Sequence, residues 1–433
     1  DWEADIVDVE TAFLYGNLEE EIFMKMPEGI DVVLGDKVGD DDCLLLLQTI
    51  YGLVQAARQY HKKFLQVMTK DLGFDKCLAD TCLLRRSNEN GTLIVCVYVD
   101  DILCIGERRA IEALKRELAE FFEVKDEGAM EEYVGCSVIR NKAGDIILHQ
   151  PHLLKRIKAE FQDELEHVRQ TTTPAGSGDA IVKMTKEEKD EGGLTGHRQT
   201  RYRSGVGMLL YLVKFSRPDI ANSVRELTKA MDCSNDKHYK SLLRVLKYVL
   251  TTSNLGIEYD SGKTINFRGK WKIVAFCDSD FGGDITDRNS VSGFCIYVGD
   301  YLISWKSRAQ RSVSLSSTEA EYYAVSEVAM EIMFIKNLLE FLGIDIDFPI
   351  TVNCDNVGAI FLSQNARNNN RTKHIDIRAH YVRQFIEDGI LKIVFVKSAD
   401  NEADVFTKNV SNKIFERHAT KNLVDVGQKQ EGC

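Results

Sequence analysis

The sequence predicts a multidomain protein of mixed α/β and α+β fold, and three observations support this class. The chain has 433 residues, 44% of them hydrophobic, which is enough for about two to four domains with cores of their own. Strand-like runs and helical patterns mix in residues 1–150, whereas residues 151–262 are mostly helical in pattern. Residues 263–433 follow the order βββαβαβα, which is typical of helices packed on a mixed sheet.

Composition excludes several classes of protein. No apolar run reaches the roughly 20 residues that cross a bilayer, so we expect no membrane partner. The 11 cysteines are scattered without a CxxC pair, which favours reduced intracellular thiols over a disulfide framework or a zinc ribbon. The net charge of −12 is unusual for a protein that binds nucleic acid, unless basic residues are confined to one face or a basic segment is missing.

The first segment alternates strands and helices. We predict a strand that enters a short helix in Ala4–Leu14, an amphipathic helix in Gly52–Phe74 and a charged helix in Arg108–Phe122. Residues 131–150 have the pattern of a hairpin that turns at Lys142–Gly144.

The run LIVCVYVDDILCIG, residues 93–106, is apolar apart from two adjacent aspartates, Asp100 and Asp101. Its halves, Leu93–Val99 and Ile102–Ile105, are short and rich in aliphatic residues, so we predict an antiparallel hairpin with the aspartates at its tip. A solvated turn explains such a tip, because aspartate favours turns. A metal site explains it equally well, because two carboxylates on a rigid hairpin can bind Mg²⁺.

The middle segment is helical and offers no chemistry that we can assign. Residues 152–162, 202–231 and 238–252 have helical periodicity, and packing explains their apolar faces. The polar stretch 171–196 is the best candidate for a long loop or linker.

The last segment contains the elements of an α/β domain. The predicted strands and helices are, in chain order, strands 272–280, 292–299 and 301–307, helix 316–343, strand 349–355, helix 356–364, strand 390–398 and a helix opening in 401–408.

Four acidic residues of this segment fall where strands end or helices begin: Asp278, Glu321, Asp355 and Asp404. The carboxyl ends of strands are where open α/β sheets build their sites. A phosphodiester hydrolase that uses two metal ions needs a cluster of carboxylates that bridges ions about 4 Å apart. The pattern therefore predicts a metal-dependent site at this edge of the sheet.

Each of these acids also has a structural explanation. Thr318 and Glu321 have the spacing of a capping box, and the helix dipole favours any anion at the position of Asp404. Asp278 and Asp280 lie two apart on a strand and face the same way, so spacing does not choose between them.

The acids lie in the motifs FCDSDFGGD, SLSSTEAEYYA, VNCDN, RTKHIDIRAHYVR and NEADVFTK, which resemble the ribonuclease H of copia-type LTR retrotransposons. The resemblance implies that Asp278, Glu321, Asp355 and Asp404 are catalytic, metal-binding carboxylates. The loop before the last acid, VKSADNEAD, is short and lacks the histidine of cellular ribonucleases H, which leaves open what assists product release.

The same family accounts for the paired aspartates. YVDD resembles the signature of retroelement reverse transcriptases, and IVDVETAFLYGNLEEEIFMKMPEG resembles the copia-type segment that carries its partner aspartate. The resemblance implies that Asp8, Asp100 and Asp101 are catalytic and bind metal. Two Mg²⁺ ions at such a site activate the primer 3′-hydroxyl and neutralise the pyrophosphate.

The resemblance also implies residues that bind the nucleotide. It places Phe13 under the incoming sugar, where a ring excludes a 2′-hydroxyl, although an ordinary core phenylalanine explains Phe13 without the family. The family segment that matches Tyr51–Gln59, with Gly52 and Gln55, contacts the template and the incoming nucleotide.

Over about residues 1–410, the resemblance implies three domains. These are a right-hand polymerase palm with most of its fingers missing in residues 1–150, a helical thumb or connection in 151–262, and a ribonuclease H-like α/β domain in 263–433. The implied function is RNA-directed DNA polymerase with ribonuclease H activity, with two Mg²⁺ or Mn²⁺ ions per active site. The implied partners are an RNA template, a DNA primer, an RNA–DNA hybrid and deoxynucleoside triphosphates.

The chain starts seven residues before Asp8, so we expect a portion of a longer polyprotein, without its protease, integrase and fingers. The resemblance implies a cytoplasmic location in virus-like particles, with the nucleus as a second location. It also leaves room for self-association with other products of the polyprotein.

Two alternatives stand beside this interpretation. The family has a lysine and a proline where this chain has Val54 and Ala57, which favours a ribonuclease H on an inactive polymerase scaffold. A decayed or co-opted binding module without catalysis is the second alternative, and the seven intact acids argue against it.

Overall fold

The computed structural model describes residues 2–35, 39, 42–141, 144–260, 262, 266–267, 269–364 and 376–427. The chain divides into two compact units, Asp1–Met130 and Glu131–Cys433. No helix in the described ranges is long and apolar enough to span a bilayer.

In its described residues, the first unit contains eight strands and three helices. The strands are β1 (Glu3–Val9), β2 (Asn17–Lys25), β3 (Cys43–Gln48), β4 (Asp75–Lys76), β5 (Leu83–Asn88), β6 (Gly91–Tyr98), β7 (Asp101–Gly106) and β8 (Val124–Ala129). The helices are α1 (Ile30–Leu34), α2 (Ala56–Gln66), which continues in a π-helical turn at Val67–Asp71, and α3 (Arg108–Leu118), and a 3₁₀ turn forms at Ala12–Tyr15.

Six of these strands form one antiparallel sheet in the order β4-β5-β6-β7-β1-β8, while β2 and β3 pair separately. The alternation of β6 buries Leu93, Val95 and Val97, as expected of a strand with one face on a core. Helix α3 buries Ile111 and Leu114 against this sheet. This core fixes β1 and β7 side by side, which positions the aspartates at their ends.

The second unit contains the other elements. Its strands are β9 (Glu132–Tyr133), β10 (Cys136–Arg140), β11 (Ile146–His149), β12 (Leu255–Tyr259), β13 (Asn266–Phe267), β14 (Lys270–Trp271), β15 (Ile273–Asp280), β16 (Val291–Val298), β17 (Tyr301–Ala309), β18 (Ile350–Cys354), β19 (Leu391–Phe395) and β20 (Leu423–Asp425). Its helices are α4 (Pro151–Leu165), α5 (Lys186–Gly192), α6 (Gly196–Phe215), α7 (Ala221–Thr228), α8 (Asp236–Thr251), α9 (Ser317–Phe341), α10 (Val357–Gln364), α11 (Asp376–Glu387), α12 (Asp404–Thr407) and α13 (Asn412–His418).

Two five-stranded sheets organise this unit. One has the order β20-β12-β11-β10-β9 and is antiparallel throughout. The other has the order β17-β16-β15-β18-β19, in which β18 is parallel to both neighbours and the remaining pairs are antiparallel. The mixed α/β, multidomain class predicted from the sequence is confirmed.

Several elements were missed by the sequence pattern, including strands β2, β3, β5, β8 and β12 and helix α11. Helix α11 lies between α10 and β19, where no helix was predicted. It begins inside the motif RTKHIDIRAHYVR, of which residues 371–375 lie outside the described part of the chain. The predicted hairpin of residues 131–150 is present as β10 and β11. Its turn residues Lys142 and Ala143 also lie outside the described part of the chain.

The middle helices and the mixed sheet share one hydrophobic core. Helices α4, α6, α7 and α8 pack together with side chains of β16, β17, α12 and α13, including Cys295, Tyr297 and Phe406. Helix α9 packs on the opposite face of the sheet, where Phe294 and Ile296 are buried. The division into segments 1–150, 151–262 and 263–433 stays a prediction, and the structure adds that residues 131–433 form one compact unit.

A buried ion pair links the turn between helices α6 and α7 to helix α8. Arg217, 1% exposed, donates to Asp219 through Nε at 2.9 Å and Nη2 at 2.8 Å. Tyr248 donates its hydroxyl to Asp219 at 2.8 Å, and Arg217 donates to the carbonyl of Thr252 at 3.1 Å. These bonds link the turn between α6 and α7 to the last turn of α8, and they satisfy both charges without water.

We expect Arg217→Met to lower the free energy of unfolding of the second unit by about 3–5 kcal/mol, because it leaves the Asp219 carboxylate buried and unpaired. The measurement is urea denaturation followed by circular dichroism. The matched control is Arg198→Met, which removes an exposed ion pair with Asp236 (2.9 Å) and should cost no more than about 1 kcal/mol. Equal losses from the two variants would contradict the assignment.

Candidate functional site

The mixed sheet and two helices bring the four predicted acids of the second unit to one edge. Asp278 lies near the end of β15, and Asp355 directly follows β18, the parallel neighbour of β15. Parallel strands end at the same edge of a sheet, which is why these two carboxylates meet. Glu321 lies in the second turn of α9, and Asp404 is the first residue of α12.

Three of the acids form a compact group. Asp278, Glu321 and Asp355 each offer a carboxylate oxygen, and these oxygens all lie within 4.8 Å of one another. Within the described residues, no other set of three histidine, cysteine, aspartate or glutamate side chains is this close. We call Asp278, Glu321, Asp355 and the adjoining Asp404 the acid cluster.

Hydrogen bonds orient the members of the acid cluster. The backbone N–H of Ser279 donates to Glu321 Oε1 at 3.2 Å, and the Thr407 hydroxyl donates to Asp278 Oδ2. Asp404 Oδ1 is buried and has no hydrogen-bond partner among the described residues. A buried carboxylate oxygen without a partner is costly, and a bound cation would remove that cost.

Burial and mutual repulsion raise the pKa values of the acid cluster. Burial, followed by the charge of Asp278, raises the pKa of Glu321 to about 10. The same two causes raise the pKa of Asp404 to about 7, against the lowering effect of Lys408. Burial is also the largest cause of the raised pKa of Asp278. Displaced pKa values in a group of carboxylates are typical of a functional site.

The donor set fits a hard divalent cation. All the converging groups are carboxylates, which are the ligands that Mg²⁺ and Mn²⁺ prefer. The partnerless oxygen of Asp404 and the raised pKa values point the same way, because a cation would compensate the buried charge.

The structure tests the capping explanation for Glu321 and the choice between Asp278 and Asp280. The capping-box prediction for Thr318 and Glu321 is wrong: Ser316 caps α9 by accepting from the N–H of Glu319 at 3.1 Å. Glu319 in turn accepts from the N–H of Leu315 at 2.7 Å, so Glu321 is not needed for capping. Asp280 is outside the group of three, and the structure therefore separates it from Asp278.

The paired aspartates of the first unit lie on a hairpin, as predicted, but their positions differ. Asp100 and Val99 form the turn, while Asp101 is the first residue of β7 and lies opposite Asp8 on β1. The N–H of Val9 donates to the carbonyl of Asp100 at 3.1 Å. Val99 has a φ of 60°, a left-handed conformation that is strained for a β-branched residue.

Three carboxylates thus meet across two neighbouring strands, although less tightly than in the acid cluster. Burial is the largest cause of the raised pKa of Asp8, followed by the charges of Asp100 and Asp101. Burial and Asp100 also raise the pKa of Asp101. Together they provide oxygen ligands of the right kind for a divalent cation.

The predicted nucleotide-binding residues lie near one another. Phe13 lies in the 3₁₀ turn that follows β1, and its ring is 5.0 Å from that of Tyr51. Gly52 adopts a φ of +98°, and Gln55 precedes α2 and donates to Glu20 at 3.4 Å. Their roles stay predictions.

Sequence reasoning missed two neighbours of the acid cluster. Thr407 and Lys408 follow Asp404 by three and four residues, a spacing that places side chains on one face of a helix. That spacing was the available signal. It gives no indication that both residues also reach Asp278, which lies more than 100 positions earlier in the chain.

Because the pKa of Glu321 lies above its ordinary value of 4.5, the folded protein binds this proton more tightly than the unfolded chain. This contribution to stability is complete below pH 4.5 and is lost as the pH rises towards about 10. We expect Glu321→Gln to raise Tm in EDTA at pH 8 by about 2–4 °C, and by less at pH 5.5. Differential scanning calorimetry at both pH values checks this, and a variant less stable than the parent at pH 8 would contradict it.

Comparison with known proteins supplies the family. Residues 1–176 match the family described as "Reverse transcriptase (RNA-dependent DNA polymerase)". The retrovirus-related Pol polyprotein from transposon TNT 1-94 of Nicotiana tabacum is 34% identical over 96% of this chain and 30% of its own length. The Pol polyprotein from transposon RE2 of Arabidopsis thaliana is 32% identical over 97% of this chain and 27% of its own length. The chain thus spans less than a third of these relatives.

Two solved structures are similar at low scores. LC11-RNase H1, isolated from compost, is 13% identical with a TM-score of 0.25 over 34% of this chain and 96% of its own. The foamy viral protease-reverse transcriptase in complex with double-stranded DNA is 12% identical with a TM-score of 0.21 over 94% of this chain and 70% of its own. The assignment rests on the sequence relatives: over nearly its whole length the chain is homologous to retrovirus-related Pol polyproteins of copia-like transposons, and residues 1–176 match the reverse transcriptase family.

Proposed function

We propose that this chain is an RNA-directed DNA polymerase that also hydrolyses the RNA strand of RNA–DNA hybrids. The observation that carries the proposal is the acid cluster, in which three carboxylates from β15, α9 and the end of β18 converge within 4.8 Å. Family membership and the paired aspartates support the polymerase half.

The acid cluster is suited to cleaving a phosphodiester. Two Mg²⁺ or Mn²⁺ ions bound there would supply Lewis-acid stabilisation of the charge that develops on the phosphate. The protein's part is to hold the oxygens of Asp278, Glu321, Asp355 and Asp404 on rigid elements. The bond from Ser279 to Glu321 and the bond from Thr407 to Asp278 fix two of these carboxylates before any ligand binds.

The paired aspartates are suited to nucleotidyl transfer by the same chemistry. The pairing of β1 with β7 holds Asp8 opposite Asp101, and the strained turn at Val99 presents Asp100. Phe13 would lie against the sugar of the incoming deoxynucleotide and exclude a ribonucleotide. Gly52 and Gln55 would contact the template and this nucleotide.

The proposed partners follow from this chemistry. They are an RNA template, a DNA primer, their RNA–DNA hybrid and deoxynucleoside triphosphates. We expect the hybrid to be recognised by its A-like shape, its phosphates and its 2′-hydroxyls rather than by base sequence.

A specific observation favours a second candidate, a chain with ribonuclease H activity alone. Val54 and Ala57 replace the lysine and proline of the family pattern, and Val54 is 99% exposed. An exposed apolar side chain cannot pair with a phosphate as a lysine would. This candidate keeps the acid cluster and loses DNA synthesis.

Asp355→Asn should reduce Mg²⁺-dependent cleavage of a labelled RNA–DNA hybrid by at least about 100-fold, because it removes one ligand oxygen. Asp280→Asn is the matched control, since Asp280 lies on β15 beside the acid cluster without belonging to the group of three. We expect it to retain cleavage within about threefold. Absence of cleavage by the folded parent would overturn the ribonuclease proposal.

Asp100→Asn should reduce primer extension by at least about 100-fold and leave hybrid cleavage within about twofold of the parent. The assay is extension of a DNA primer on an RNA template, with hybrid cleavage measured in the same samples. A parent that cleaves the hybrid without extending the primer would favour the second candidate.

A further inference from the structure

We propose that Lys408 is a tethered counter-ion of the acid cluster, which occupies the position of a cation in the metal-free protein and competes with the divalent ion for two of its ligands. This inference rests on the proposed function. It assigns Lys408 the role of a positioning residue, and it concerns how the site loads and releases metal.

The Lys408 ammonium lies close to the carboxylates of both Asp278 and Asp404. Lys408 directly follows α12, and its N–H donates to the carbonyl of Asp404 at 3.2 Å. Its Nζ lies 3.2 Å from Asp404 Oδ2 and 3.8 Å from Asp278 Oδ2. Its side chain is 44% exposed, so the ammonium can leave the site towards solvent.

Each of these two acids is thereby engaged through a single oxygen. Asp278 Oδ2 accepts from the Thr407 hydroxyl and faces Lys408, and Asp404 Oδ2 faces Lys408. Asp404 Oδ1 remains buried and has no hydrogen-bond partner among the described residues. Thr407 and Lys408, at the end of α12, therefore engage the Oδ2 atoms of Asp278 and Asp404. They leave Asp404 Oδ1 for another ligand.

The acid cluster needs such a charge whenever no metal is bound. Asp278, Glu321 and Asp404 are each at most 5% exposed, so water cannot screen their repulsion. In the described part of the chain, every ion pair that a member of the acid cluster makes is with Lys408. Among the described residues, Lys408 is thus the basic side chain that pairs with the acid cluster.

A lysine and a divalent ion cannot both lie closest to the same carboxylates without repelling each other. Any group that favours the metal-free state weakens metal binding by the same factor, because the two equilibria are linked. Lys408 should therefore stabilise the metal-free protein and raise the metal concentration that half-fills the site. In turnover, the Lys408 ammonium would pair again with Asp278 and Asp404 when the site loses a metal ion.

The test uses Lys408→Met, Lys408→Arg and a matched control, Lys336→Met. Lys336 forms an ion pair of the same i,i+4 spacing with Glu340 at 2.7 Å, farther along α9 and away from the acid cluster. All variants are made in the full chain carrying Asp8→Asn and Asp100→Asn, so that metal binding reports on the acid cluster. Mn²⁺ binding is followed by its electron paramagnetic resonance signal, and Tm is measured in EDTA.

We expect Lys408→Met to lower Tm in EDTA by about 2 °C and to lower the half-saturating Mn²⁺ concentration about threefold. Lys408→Arg should stay close to the parent in both measurements, and so should Lys336→Met. An unchanged or raised half-saturating concentration in Lys408→Met overturns this inference alone. If the parent shows no Mn²⁺ binding that Asp355→Asn removes, the proposed function fails, and this inference fails with it.

Discussion

Repulsion between the carboxylates of the acid cluster is the constraint that the fold of the second unit has to overcome. Asp278, Glu321 and Asp355 would repel one another strongly if all three were ionised at this distance in a poorly solvated place, and burial together with this repulsion raises the pKa of Glu321. The energy that holds them together comes from elsewhere. The parallel pairing of β15 with β18 fixes two of them, and the packing of α9 on the sheet fixes the third. The fold thus stores unfavourable electrostatic energy at one edge, and a cation can release it.

The two proposed sites solve the same problem with different architecture. In the acid cluster the ligands come from separate elements of a mixed sheet and its helices, so the group forms only when the whole unit has folded. In the first unit, Asp8 and Asp101 face each other across one strand pair, and Asp100 depends on a two-residue turn. Local geometry therefore matters more there, and the left-handed conformation of Val99 is part of the turn that carries Asp100.

Much of the acid cluster could be predicted because the sequence pattern shows where strands end and where helices begin. Asp278, Glu321, Asp355 and Asp404 were all predicted from such positions. The choice between Asp278 and Asp280 needed the structure, which groups Asp278 with Glu321 and Asp355. The capping of α9 was assigned to the wrong residue because Ser316, Ser317 and Thr318 are all good caps, and only the path of the chain decides among them. Contacts such as that of Thr407 with Asp278 depend on the docking of α12 against β15, which no local pattern specifies.

The core shared by the middle helices and the mixed sheet has a consequence for evolution. Tyr297 and Phe406 belong to segment 263–433, yet they are buried together with side chains of helices α4, α6, α7 and α8. A cut near residue 262 would leave these rings facing water, as an apolar patch that invites aggregation. Segment 263–433, the proposed nuclease, is therefore poorly suited to exchange as an independent domain. Recombination between elements would preserve folding best where it moves residues 131–433 as one inherited piece.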